Sequence, residues 1–261
     1  MRILAIGDPH GSGNIEKINL DNIDYVLIPG DVGKADLMRK YYFEYNIKQG
    51  KKWTDELSKK QIEEAFLQAI QTTENILSYF DKSKIPTYWI YGNVEEGLDE
   101  RIDKLKLNVK KLSDMKFDNV KLINYKSVKI DDMKMIGIPY FVEEDWIRRF
   151  TPNDDMALKK AKTTNKKVRE KLKELGKADI ILMHNPMYEV MDKVTNSAAP
   201  PTWQNKHAGS KIILKYVKNT EPKFVVCGHI HEAKGTSKLG KTTIINPGCN
   251  GEYYIIDIKK K

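Results

Sequence analysis

The chain has 261 residues, of which 40% are hydrophobic and 31% charged, and 45 Lys+Arg against 36 Asp+Glu leave a net charge of +9. That composition excludes a disordered chain, and the length is enough for one large α/β or two-sheet domain with a substantial core. The positive excess favours anionic partners (phosphate esters, nucleic acid, acidic surfaces) without choosing among them.

Two cysteines, Cys227 and Cys249, imply no disulfide framework. No apolar run approaches membrane-spanning length. The first residues lead straight into Gly7-Asp8 and leave no room for a signal sequence. A cytoplasmic protein without membrane association is the expectation.

In chain order, short apolar runs rich in Ile and Val read as strands at 3–6, 25–28, 87–91, 120–123, 133–138, 180–183, 224–227, 242–245 and 253–256. A helix is expected over roughly 55–80, with Thr54 as N-cap and Asp55 and Glu56 in its first turn. A lysine-rich helix is expected over about 154–175, its apolar stripe made by Leu158, Ala161, Val168, Leu172 and Leu175. A further helix is expected from near Ser210, and Gly11–Asn14 leads into a possible short one. Early alternation of strand and helix, with adjacent strands in the middle and at the C-terminus, predicts two packed sheets with helices outside. The reading is a single domain over 1–261, with a helical insert at about 34–82.

The residues that follow the strands carry the chemistry. Ile6 is followed by Gly7-Asp8-Pro9-His10, Ile28 by Pro29-Gly30-Asp31, and Tyr91 by Gly92-Asn93. Met183 is followed by His184, and Cys227 by Gly228-His229-Ile230-His231. Ligands of α/β sheets bind beyond the carboxyl ends of strands. Residues two apart in an extended segment point the same way, so Asp8 with His10, and His229 with His231, can face one centre. Carboxylate, carboxamide and imidazole without thiolate suit Mn, Fe or Zn. Seven such groups suit two ions about 3.5–4 Å apart, sharing one carboxylate, a pair that activates water for attack on phosphorus. Four of the five histidines fall at these strand ends.

This ordered set resembles the calcineurin-like metallophosphoesterases, whose pattern is D-x-H, G-D, G-N-H-[DE], H and G-H-x-H. Asn246-Pro247-Gly248 is similar to the family's closing turn. The resemblance implies an α/β fold, a four-layer αββα sandwich of two mixed β-sheets flanked by helices. It implies two divalent metal ions (Mn, Fe, Zn or Ni, with Mn favoured). Asp8, His10 and His231 would hold one, Asn93, His184 and His229 the other, and Asp31 would bridge. It further implies hydrolysis of a phosphate ester by in-line attack of a hydroxide held between the ions, with Asn93 part of the catalytic constellation.

Val94 stands where the family has the His that helps the leaving oxygen to depart. Three readings stay open. The substrate tolerates the loss, as a phosphodiester would; His207 supplies the proton, as in a monoesterase or protein phosphatase; or the chain is a non-catalytic metal-binding scaffold. Trp203, in the Pro-rich loop before His207, is a candidate substrate contact. The Tyr41–Tyr45 cluster could form a lid, a base-stacking platform or internal packing. Nucleic acid along the lysine-rich helix is possible but not favoured, since a solvated amphipathic face accounts for those lysines. Oligomeric state is not legible.

Overall fold

A computed structural model describes residues 1–197 and 199–259. Among the described residues eleven strands are assigned: β1 (Arg2–Ile6), β2 (Tyr25–Ile28), β3 (Thr87–Trp89), β4 (Val120–Leu122), β5 (Ser127–Ile130), β6 (Met133–Ile138), β7 (Ile180–Met183), β8 (Phe224–Val226), β9 (Gly235–Leu239), β10 (Thr242–Asn246) and β11 (Tyr253–Asp257). The α-helices are α1 (Asp36–Tyr41), α2 (Trp53–Glu56), α3 (Lys59–Ser83), α4 (Leu98–Leu105), α5 (Glu144–Phe150), α6 (Asp155–Leu175) and α7 (Lys211–Thr220).

The strands form two mixed sheets, ordered β11-β1-β2-β3-β4 and β5-β6-β7-β8-β10-β9. Each has a parallel interior, and β11, β5 and β9 pair antiparallel at edges. Alternation along the strands shows how the layers stack. In β1, Ile3 and Ala5 join Ile180, Leu182 and Val226 of the other sheet in one buried cluster. Leu4 and Ile6 face the other way, onto Ile76, Leu77 and Phe80 of α3. In β7, Ile181 and Met183 turn outward onto Val168 and Leu172 of α6 and Ile213 and Val217 of α7. The result is helix, sheet, sheet, helix.

The run-based strands are all present, but β5 and β9 carry no comparable apolar run. Both are polar edge strands, whose alternate residues meet solvent. The helix expected at 55–80 also differs. It begins at Lys59 behind Ser58, whose hydroxyl accepts from Gln61 N–H while the Gln61 side chain returns to Ser58 N–H. That capping box starts a new helix and leaves Thr54 inside the separate turn α2. Trp53, in that turn, is buried between Tyr41 and Phe66, with ring centroids 5.8 and 6.0 Å away.

α6 begins as expected, with the Asp154 side chain accepting from Ala157 N–H. Ala161, Val168, Leu172 and Leu175 are buried, while its lysines are exposed. Asn165 completes the buried stripe by bonding Val142 O and Glu144 N–H, which ties α5 to α6. Ser210 caps α7 through Ile213 N–H. The short helix after Gly11 is a 3-10 turn over Gly13–Lys17, capped by Ser12. Among the described residues no helix is long and apolar enough to cross a membrane.

Candidate metal centre

The ends of β1, β2, β3, β7 and β8 lie on one edge of the paired sheets, and the seven expected ligands meet there. Their contacts close a ring. Asp8 Oδ2 is 3.1 Å from His231 Nε2, which is 3.1 Å from His10 Nε2. His10 Nε2 is 3.9 Å from Asp31 Oδ2, and Asp31 Oδ1 is 3.7 Å from His184 Nε2. His184 Nε2 is 3.1 Å from Asn93 Oδ1, which is 2.8 Å from His229 Nδ1. His229 N–H closes the ring by donating to Asp8 Oδ2 at 2.7 Å. The two oxygens of Asp31 therefore face opposite halves of the cluster.

The backbone is bent to achieve this. His10, Asp31 and His229 have φ of 47°, 48° and 69°, the left-handed region that side chains with a Cβ rarely occupy. Such residues cost about 1–3 kcal/mol each and persist where the surroundings hold them. The surroundings here are specific. His10 N–H donates to Asp31 O, and Gly11 N–H to Val32 O, which lock the first loop to the second. A Cβ on Gly228 would lie 2.0 Å from Asp8 Oδ1, and one on Gly92 would lie 2.2 Å from Asp31 Oδ1. Glycine is required at both because the Asp8 and Asp31 carboxylates occupy that space.

Two further residues brace the centre. The buried Glu95 carboxylate accepts from Asp31 and Gly92 N–H at Oε2 and from Val32 and Gly33 N–H at Oε1. It clamps the Gly30-Asp31 and Gly92-Asn93 corners together. Asn246 at the end of β10 donates to Ile230 O and accepts from Gly248 N–H, joining the His229–His231 loop to the closing turn. Gly248 O in turn accepts from Asp8 N–H.

Val94 faces away from the centre. Its side chain is buried with Ala35, Met38, Phe66, Ala69 and Leu98, where α1, α3 and α4 converge. Its N–H donates to Asp31 Oδ1 at 2.8 Å. An apolar β-branched residue thus anchors the segment after β2, while its backbone orients the central carboxylate.

The electrostatics suit cations. Asp8 Oδ1 is buried and has no hydrogen-bond partner among the described residues, so its lone pairs go unanswered there. Burial opposes ionisation of Asp8, but the charges of His184, His231 and His10 and a hydrogen bond from His231 hold its carboxyl down to about 2. Burial lowers His229 to about 3, and the charge of His184 adds to the effect. Burial also lowers His10. Burial works against a charge on His231, yet the Asp8 bond and the charges of Asp8 and Asp31 raise it. His184 Nδ1 is 2.8 Å from Pro29 O, an acceptor only, so Nδ1 carries the proton and Nε2 presents a lone pair toward Asn93 and Asp31. Two sets, Asp8/His10/His231 and Asp8/Asp31/His184, have donor atoms close enough to hold an ion. The orphaned oxygen and the mixed N/O donor set fit divalent metals.

His207 and Trp203 lie outside this ring. His207 Nδ1 is 2.7 Å from Asp192 Oδ1, and the buried Asp192 also accepts from Glu189 and Gly209 N–H. Trp203 packs edge-on against Trp146 and Phe150, with centroids 5.6 Å away in both cases. In the 41–45 cluster, Tyr41 stacks on Trp53, and Tyr42 meets Phe43 edge-on. Glu95 and Asn246 stand in the sequence only as motif letters, without a role. Tyr140, whose ring lies 5.7 Å from His184 and 5.4 Å from His229, and Arg39 carry no local signal at all.

One known structure shares this architecture. A solved crystal structure superposes with a TM-score of 0.61 at 16% identity, covering 98% of this chain and 94% of that one. TT1561 of Thermus thermophilus gives 0.49 at 13% identity over 96% of this chain and 90% of its own. A protein described as a novel archaeal phosphodiesterase gives 0.39 at 14% identity over 98% and 99%. An uncharacterized protein of Methanocaldococcus jannaschii is 33% identical over 82 residues, 31% of this chain and 35% of that protein's length. The profile of the calcineurin-like phosphoesterase family matches residues 1–233. The chain belongs to the calcineurin-like phosphoesterases.

Proposed function

We propose that the chain is a dinuclear metal-dependent phosphodiesterase. The observation that carries this reading is the Asp31 carboxylate, whose Oδ2 faces His10 and Oδ1 faces His184. Asp8, His10 and His231 would hold one divalent ion, and Asn93, His184 and His229 the other, with Asp31 shared. Manganese is favoured, and Fe, Zn and Ni share the same donor preferences. When bound, the ions supply charge to the phosphoryl oxygens and acidify water for in-line attack. The chain's own residues set the geometry: Val94 N–H and the Glu95 clamp orient Asp31, and the Pro29 carbonyl fixes the His184 tautomer.

Val94 favours a diester over a monoester, because its side chain, packed away from the centre, offers no proton at the usual place. We assign His207 to assist the departing oxygen where the leaving group is poor. Its support is the dyad with Asp192, which holds Nδ1 and leaves Nε2 available on a partly exposed ring. The loop that carries it borders the centre, since Ala208 and His229 line the same crevice.

The test is Mn²⁺-dependent hydrolysis of bis(para-nitrophenyl) phosphate against para-nitrophenyl phosphate, with Asp31→Asn as control. Preference for the diester, lost in the control, supports the proposal. Mn²⁺ binding without turnover of either ester would instead support a metal-binding scaffold. Loss of His207 should slow an alkyl ester by about 10²-fold and the para-nitrophenyl diester far less, in keeping with acid catalysis.

A further inference from the structure

A cavity of about 450 Å³ opens beside the centre, on the side of His10 and His231. That size lies in the range of small-molecule sites, about 300–1,000 Å³. Besides those histidines it is lined by Lys34, Asp36 and Arg39 and by Ser12 and Asn250. Asn93, His184 and His229 do not line it. A molecule reaching into it from the centre therefore extends away from that half of the ring.

The wall is cationic. Lys34 Nζ is 3.3 Å from Asp36 Oδ2, but both side chains are well exposed, and such pairs are weak and exchangeable. Arg39 is exposed, and its guanidinium makes no hydrogen bond or ion pair among the described residues. Arg39 does not reach the cavity by chance of a surface loop. Ala35 and Met38, in the same stretch, are buried in the cluster that contains Val94. The residue that replaces the family's histidine thus packs in the same cluster as the helix that brings a free guanidinium to the cavity. A guanidinium with no partner presents a planar fork of donors matched to phosphate oxygens.

We propose that this cavity is a second anion subsite, and that the substrates are small phosphodiesters carrying an additional phosphate, held by Arg39 with Lys34. This rests on the phosphodiesterase reading above. The test uses two esters that differ in one group: thymidine 5′-(para-nitrophenyl phosphate), and the same ester with a 3′-phosphate. With Mn²⁺ bound, the 3′-phosphate should lower KM about tenfold, the effect of one charge-assisted contact. Arg39→Ala should erase that ratio, and Lys40→Ala, which removes an equal charge outside the cavity, should keep it. Equal KM values for the two esters in the wild type would overturn the proposal. So would a ratio that survives Arg39→Ala while kcat falls by the same factor on both esters, which would put Arg39 on the scissile group. A second readout needs no turnover. Calorimetric titration of the chelator-treated protein should show thymidine 3′,5′-bisphosphate binding more tightly than thymidine 5′-monophosphate, a difference lost in Arg39→Ala. If neither ester is cleaved, the phosphodiesterase reading fails, and the titration alone decides the subsite.

Discussion

Asn246 offers the sharpest test of how the centre is held. Its side chain is 1% exposed, donates to Ile230 O at 2.8 Å and accepts from Gly248 N–H at 3.0 Å. Asn246→Ala leaves the buried Gly248 N–H without a partner, while Ile230 O keeps the bond it accepts from Ala233 N–H. One orphaned group costs about 1–3 kcal/mol, and that is the expected loss of stability if no water replaces the carboxamide. The damage should not stop at stability. Ile230 lies between His229 and His231, and Gly248 O holds the Asp8 backbone. Loosening both ends frees His229 from its left-handed φ of 69° and moves His229 and His231 relative to Asp8. Urea unfolding in the presence of chelator measures the first effect, and Mn²⁺ titration by calorimetry the second. A loss below about 1 kcal/mol, the lower end for a single orphaned group, with unchanged Mn²⁺ affinity would refute the bracing role.

Three other outcomes are expected. Val94→His should destabilise by about 1–3 kcal/mol, because it places a polar ring in an apolar cluster, and should not raise turnover of para-nitrophenyl phosphate; a gain in monoesterase rate would show that residue 94 can face the centre. Gly228→Ala drives a methyl to 2.0 Å from Asp8 Oδ1, so Mn²⁺ affinity should fall even where the variant folds, as calorimetry would show. In the metal-free protein, Asp8 is depressed from 3.8 to about 2. Its contribution, about 2 kcal/mol, is present above the unfolded value and is lost as pH falls through the folded one. The stability gap between wild type and Asp8→Asn should therefore close across that acidic window, and urea midpoints that differ by a constant amount would contradict the shift.

Much of the architecture was legible locally. Runs such as Leu4–Ile6 and Ile180–Met183 are apolar at every position because each strand is covered on both faces, one by the other sheet and one by helices. The polar edges β5 and β9 lack that double burial, and so lack the signal. Ser58-x-x-Gln61 was a readable helix start that the hydrophobic periodicity around Leu57 obscured.

The sequence by itself determined which side chains stand at the strand ends. Each of those strands terminates before a Gly, Pro or His, and the ligand types follow at once, as in Gly30-Asp31 and Gly228-His229. Only the tertiary structure decided how they meet and what surrounds them. The contact from His229 N–H to Asp8 spans 221 residues, and the Glu95 clamp joins corners more than sixty residues apart. Val94 reads as a missing acid in isolation, and becomes an anchor for the segment bearing Arg39 once packed. The physical reason is that strand and turn formation depend on neighbours in the chain. The direction of a side chain at a loop, and the charge it meets, depend on which distant segments the packed sheets bring beside it.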